Sequence, residues 1–141
     1  MIGALLDRLR DRRRRRLWAG GLAAGRRGED LAHRFLQAQG FTVVARNYRL
    51  PSGDAEADLI AWEGDELVIV EVKTRGSEDY GPPERAIDPE KERHLTRVAR
   101  AFARKAEVPW PQVRCDLLTV VLCDPPRIEL FRRAIRLPSN G

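Results

Sequence analysis

Asp58, Glu71 and Lys73 are the residues of this chain best suited to chemistry. They lie in two apolar runs, Ala55-Glu56-Ala57-Asp58-Leu59-Ile60-Ala61-Trp62 and Leu67-Val68-Ile69-Val70-Glu71-Val72-Lys73, joined by Glu63-Gly64-Asp65-Glu66. Both runs read as strands, yet each carries charges that a buried strand avoids. Gly64-Asp65 suits a two-residue hairpin turn of type II′, with glycine at its first position. The register that follows sets Asp58 opposite Glu71 and Glu56 opposite Lys73. Directly opposed residues share a face, with Cβ atoms roughly 4.5–5.5 Å apart. Two carboxylates that close repel unless positive charge stands between them. A divalent cation would satisfy them, and Lys73 projects from the same face as Glu71. The layout is that of a metal-dependent phosphodiesterase site. The plainer reading is an ion-pair cluster on an exposed sheet face. Val68, Val70 and Val72 read as the buried set, which leaves the opposite face to solvent or to a site. Glu56 is either the ion-pair partner of Lys73 or a further site carboxylate.

Positioning these groups requires a sheet and something to cover it. From Gly25 the pattern is helical, with Leu31, Ala32, Phe35, Leu36 and Gln39 on one stripe and Gly40 closing it. Phe41 to Leu50 reads as a strand, ended by Pro51-Ser52-Gly53. The hairpin of 56–63 and 66–75 follows, then a Gly- and Pro-containing loop over 76–87. Asp88 caps a second helix with Pro89 in its first turn, and its apolar stripe is Leu95, Val98, Ala99, Phe102 and Ala106. Pro109 and Pro111 end it. Val113 to Leu122 is a long apolar strand, and Ile128 to Ile135 a last edge strand. The order α–β–β–β–α–β–β predicts an α/β protein with a mixed central sheet of about five strands flanked by helices.

At 141 residues the chain is one domain with room for a sizeable core. No apolar run approaches the ~20 residues of a membrane span, no signal peptide is evident, and the expected location is cytoplasmic. The net charge of +5 is unevenly divided. Residues 1–27 hold nine arginines against Asp7 and Asp11, a net +7, whereas 28–141 carry −2. Residues 1–24 therefore read as a basic extension, disordered or helical on an anionic surface, and 25–141 as the folded domain. The extension is either a solvated tail or a nucleic-acid contact. Cys115 and Cys123 lack the geometry of a disulfide and the spacing of a zinc site, so both are expected to be buried thiols. His33, His94, Trp62 and Trp110 read as structural. No phosphate-cradling glycine loop appears, which argues against nucleoside triphosphate chemistry, and no serine or cysteine nucleophile is arranged for attack.

The second helix carries Arg93, Arg97, Arg100 and Arg104 at spacings of 4, 3 and 4, a basic stripe beside the apolar one. It is either a solvated face or a surface for a phosphate backbone. Glu29 sits at a helix start, where a carboxylate is favourable whatever its role. Asp116 either supports the site or pairs with Arg114.

Several segments together resemble the YraN family of small bacterial proteins. These are Gly25-Arg26-Arg27-Gly28-Glu29-Asp30-Leu31-Ala32, Gly40-Phe41 through Arg46-Asn47-Tyr48-Arg49, Glu56-Ala57-Asp58-Leu59-Ile60, Val70-Glu71-Val72-Lys73-Thr74-Arg75, Lys91 and Arg114-Cys115-Asp116. The resemblance covers roughly residues 25–122, and the motifs look like the PD-(D/E)xK pattern of restriction enzymes and archaeal Holliday-junction resolvases. It implies a restriction-endonuclease-like three-layer fold and a nuclease that cuts DNA, with branched or recombination intermediates as candidate substrates. Under it, Asp58 and Glu71 match the metal-binding carboxylates for Mg²⁺ or Mn²⁺, Lys73 the catalytic lysine and Glu29 the helical glutamate that completes the site. Lys91 and Arg75 join the arginine stripe as phosphate contacts, and relatives of this kind often act as homodimers. Two departures stand out: Ala55-Glu56-Ala57-Asp58 replaces the usual Gly-Glu-Ile-Asp, and Ile69 replaces a common phenylalanine. Neither removes a charge. The rival expectation is a non-catalytic nucleic-acid-binding accessory protein on the same fold, or a metal-binding module that docks on another protein.

Overall fold

Gly64, at φ +60°, makes the turn on which the sheet is built. A side chain there would be strained, and both hairpin turns that suit strand twist need this conformation at the first loop position. The turn joins β2 (Glu56–Glu63) to β3 (Glu66–Arg75), with Glu63 opposite Glu66, Ile60 opposite Ile69 and Leu59 opposite Val70. This is the register expected from the sequence. The computed structural model describes residues 22–76 and 87–139.

Around the hairpin lie α1 (Leu22–Ala38), β1 (Thr42–Arg49), α2 (Pro89–Ala106), a 3₁₀ turn at Trp110–Gln112, β4 (Val113–Val121) and β5 (Arg127–Ile135). The five strands form one sheet in the order β1-β2-β3-β4-β5. Every neighbouring pair is antiparallel except β3 and β4, which run parallel with α2 in the crossover between them. The α/β class, the mixed five-stranded sheet and the element order are as expected. Residues 22–24, read in the sequence as part of the basic extension, already belong to α1, while 1–21 and most of the 76–87 loop lie outside the described residues.

Each helix covers one face. Ala32 and Leu36 of α1 pack with Val68, Val70, Leu118 and Val120, whereas Leu95, Val98, Ala99 and Ala103 of α2 pack with Leu67, Ile69, Cys115 and Leu117. Each large aliphatic side chain so buried contributes about 1.5–3 kcal/mol. Sequence reading left the second face of β3 to solvent or to a site. In the structure it is closed by α2, as the unbroken apolar run Leu67 to Val70 suits a strand buried on both sides. Two stripe positions also differ: Gln39 and Ala106 are exposed, and Ala103 takes the core place at the end of α2. Of the two free cysteines only Cys115 is buried, because β4 ends at Val121 and leaves Cys123 exposed beyond it.

Two irregularities shape the edges. Val44 is an extra residue in β1, between Val43 opposite Ala61 and Ala45 opposite Ile60. Its place in that bulge leaves it 45% exposed. On the other edge, Cys115 pairs with Ile135 but Leu117 with Phe131, and the surplus residues of β5 include Arg133 at φ +57°.

Candidate active site

The β2–β3 ladder stops at Leu59 and Val70, and the site begins where it stops. β2 changes face at this point: Leu59 and Ala61 belong to the core under α1, Ala57 and Ala55 to the core under α2. Asp58 lies at the change. Opposite it on β1, between the pairs Arg46–Leu59 and Tyr48–Ala57, Asn47 has a left-handed φ of +50°. Asparagine tolerates that conformation better than most residues. Beyond the last ladder pair, the Val72 backbone N–H donates to Asp58 Oδ2 at 2.8 Å. That bond fixes the Asp58 carboxyl against β3.

The structure brings Asp58 and Glu71 close enough to share a hydrogen bond. Glu71 is 2% exposed and Lys73 8%, both on β3 where it pairs with the inner strand β4. Asp58 keeps part of its surface open, but protein surrounds it, and the surroundings dominate its charge. Burial first, then the Glu71 carboxylate beside it, push the Asp58 carboxyl well above the ordinary range. Lys91 and the Val72 N–H pull the other way without prevailing. Glu71 and Lys73 thus lie on a covered face, not on the exposed face of the ion-pair reading, while Asp58 is half-buried.

Lys91 enters from α2, its Nζ 2.8 Å from Glu71 Oε2. The sequence placed it among phosphate contacts, and the structure places it on the carboxylate pair. It occupies the third position of α2, where Asp88 Oδ1 accepts from its backbone N–H at 2.7 Å. A cation in the first turn opposes the helix dipole. That mismatch was a sequence signal for a specific anionic partner.

The other anticipated groups are more dispersed. Glu29 faces β1, with Asn47 Nδ2 donating to its Oε2 at 3.4 Å and Arg46 Nη2 3.8 Å from the same oxygen. Glu56 pairs across the β1–β2 ladder with Arg49 at 3.1 Å. Among the described residues no third His, Cys, Asp or Glu joins Asp58 and Glu71 in a metal-holding group. Two carboxylates are nonetheless a sufficient protein contribution for Mg²⁺, which retains several waters in its octahedral shell. The donor set, hard and anionic, fits that ion.

Arg93, Arg97, Arg100 and Arg104 are all exposed along α2. Arg97 is engaged by Asp54 at 2.7 Å, a pair that holds the Asp54 carboxyl far below the ordinary carboxylate range. Arg100 stacks over Trp110, 5.7 Å from the ring centroid, and Trp110 Nε1 donates to the Pro138 carbonyl at 2.7 Å. Arg75 ends β3, half-buried, and its carbonyl accepts from Leu122 N–H at 2.8 Å.

Asp116 and Arg114 lie on β4, opposite Val70 and Val68 of β3. Arg114 Nε donates to Asp116 Oδ1 at 3.1 Å, Nη1 to Glu66 at 2.9 Å and Nη2 to Glu63 at 2.5 Å. Arg132 and Arg133 of β5 close the network on Glu63 and Glu66 at 2.9 and 3.0 Å. This cluster clamps the hairpin turn to β4 and β5.

No helix among the described residues is long and apolar enough to cross a membrane. Comparison with known proteins identifies the relatives of this architecture. Residues 28–120 match the model described as "Uncharacterised protein family UPF0102". A UPF0102 protein of Solibacter usitatus is 53% identical over 134 residues, spanning 95% of this chain and 99% of its own length. One of Koribacter versatilis is 44% identical over 120 residues, 84% and 83% of the two chains, and one of Dictyoglomus turgidum 36% identical over 98 residues, 70% and 81%. With a family match over most of its length and relatives that align nearly end to end, the chain belongs to the UPF0102 (YraN) family.

Proposed function

We propose that this protein is a Mg²⁺- or Mn²⁺-dependent endonuclease that hydrolyses DNA phosphodiester bonds, with branched or recombination intermediates as its substrate class. The observation that carries the reading is the half-buried Asp58 carboxyl beside the buried Glu71, with Lys73 two residues beyond Glu71 on β3. Burying two carboxylates side by side is unfavourable unless a cation offsets them. A bound divalent ion would supply charge neutralisation at the phosphate and an acidified water. Asp58 and Glu71 would hold it, Asp58 being fixed in place by the Val72 N–H. Lys73 Nζ would orient the attacking water and accept or return its proton. The exposed arginines of α2 would bear on the phosphate backbone, which positions the duplex without reading its sequence.

The test is nicking of linear, single-stranded and four-way-junction DNA in Mg²⁺ and in Mn²⁺, comparing wild type with Glu71→Ala. Metal-dependent cutting that disappears in the variant is expected. Intact substrates that nonetheless shift on a gel would favour the accessory-protein reading, and equal cutting by both proteins would remove Glu71 from the mechanism.

A further inference from the structure

We propose that Lys91 is a built-in counter-ion of the site, which holds the carboxylate pair together in the metal-free protein and is displaced when a divalent cation binds. The inference rests on the metal-site reading above and extends it to a residue outside the β2–β3 hairpin. Lys91 Nζ is 2.8 Å from Glu71 Oε2, and the two side chains are 19% and 3% exposed. A lysine so placed opposes the dipole of its own helix, so its position is set by the site, not by helix stability. It also supplies a positive charge where the fold otherwise crowds two negative ones. A cation entering between Asp58 and Glu71 competes with Lys91 for the same carboxylate. Two positive charges on one carboxylate are mutually unfavourable, so binding drives the ammonium away. Lysine is a flexible point charge on a four-carbon stem, able to swing outward from a fixed backbone. Its release leaves a free cation at the rim of the site, in reach of an incoming phosphate. Metal loading would thereby prepare phosphate binding in the same step.

The chain has three lysines, Lys73, Lys91 and Lys105, which makes the test direct. Amine acylation read by mass spectrometry gives the labelling rate of each, with exposed Lys105 as internal reference. Mn²⁺ occupancy of the same samples is followed by electron paramagnetic resonance. Saturating Mn²⁺ is expected to raise Lys91 labelling several-fold relative to Lys105. Lys91→Met keeps the bulk of the side chain and removes its charge, and it should bind Mn²⁺ on the order of tenfold tighter or more. Lys91→Arg, which keeps the charge, should stay near wild type. Mn²⁺ binding with no change in Lys91 labelling, and equal affinity in Lys91→Met, would overturn the counter-ion while leaving the metal site standing. Absence of Mn²⁺ binding in wild type and Lys91→Met alike would overturn the metal site and the counter-ion with it. Should Lys91→Met fail to fold, labelling of the wild type alone decides.

Discussion

A single methyl group at Gly28 sets two effects of opposite sign against each other. Gly28 lies inside α1, where alanine is favoured over glycine by about 1 kcal/mol. Helix propensity alone predicts that Gly28→Ala stabilises the protein. The packing predicts the reverse. A Cβ at Gly28 would fall on Thr74 Oγ1, with Thr74 Cγ2 at 2.6 Å and Thr74 Cβ at 2.8 Å. Rotating the threonine moves the first two atoms aside but not the third, which is fixed to the β3 backbone. Helix and strand must therefore separate by several tenths of an ångström, and overpacking of this kind costs about 1–3 kcal/mol. With the propensity gain subtracted, Gly28→Ala should lose about 0–2 kcal/mol, or up to about 10 °C in Tm. Urea and thermal unfolding followed by circular dichroism would measure it, together with Thr74→Ala and the double variant. The two changes should be strongly non-additive, since Thr74→Ala removes the worst contacts. A more stable Gly28→Ala protein, or simple additivity, would refute the argument. Because Thr74 follows Lys73, the same displacement should also reduce any metal-dependent cutting.

Asp58→Asn should raise the Tm of the metal-free protein while abolishing cutting. Asparagine keeps an acceptor for the Val72 N–H and removes one of two crowded carboxylates. The Asp58 carboxyl is raised in the fold, so its stabilising protonated form is lost as pH rises through that raised value. The advantage of the variant in EDTA should therefore grow with pH, and a flat or falling difference would count against the coupling. Arg114→Met should cost about 3–5 kcal/mol in urea unfolding, because it strands Asp116, 0% exposed, beside Glu63 and Glu66. Glu63 is held below its ordinary value of 4.5 by hydrogen bonds from Arg132 and Arg114, against the opposing effect of burial. Its contribution is complete above that value and fades as pH falls below it, so Glu63→Gln should flatten the loss of Tm in that acid range. Arg93→Ala with Arg104→Ala should weaken DNA binding similarly for all sequences and lower the salt dependence by about one unit per lost contact.

The parts of this fold written in local sequence were readable there. Gly64-Asp65 gave away the hairpin turn and, through it, the alignment of Ile60 with Ile69 and Leu59 with Val70. Asp88-Pro89 marked the start of α2 for the same reason: capping and turn chemistry act over three or four residues. What depended on contacts distant in the chain was less legible. The Lys91–Glu71 pair joins residues twenty apart through the β3–α2 crossover, and no periodicity within either element reports it. The arrest of the ladder at Leu59 was hidden as well, because strand pattern alone predicts that pairing continues to Glu56 and Lys73. Arg114 and Asp116 are two residues apart and looked local, yet their partners Glu63, Glu66, Arg132 and Arg133 come from three different strands. Arg97 likewise appeared free on its helix face until Asp54, from the turn after β1, was brought beside it.

The bulges at the two margins of the sheet bear on how molecules of this protein meet one another at high concentration. An open sheet ends in rows of unpaired backbone donors and acceptors, a template on which a second chain can add a strand and start aggregation. Here Val44 interrupts the row on β1, and the surplus residues around Arg133 interrupt it on β5. The β5 margin also presents Arg127, Glu129 and Arg132, charges that an incoming strand would have to desolvate. Continuation of the sheet from one molecule into the next would require straightening a bulge on either side. Self-association by strand addition is thus disfavoured at both margins, and the exposed valine in β1 is the residue whose deletion should make the protein sticky.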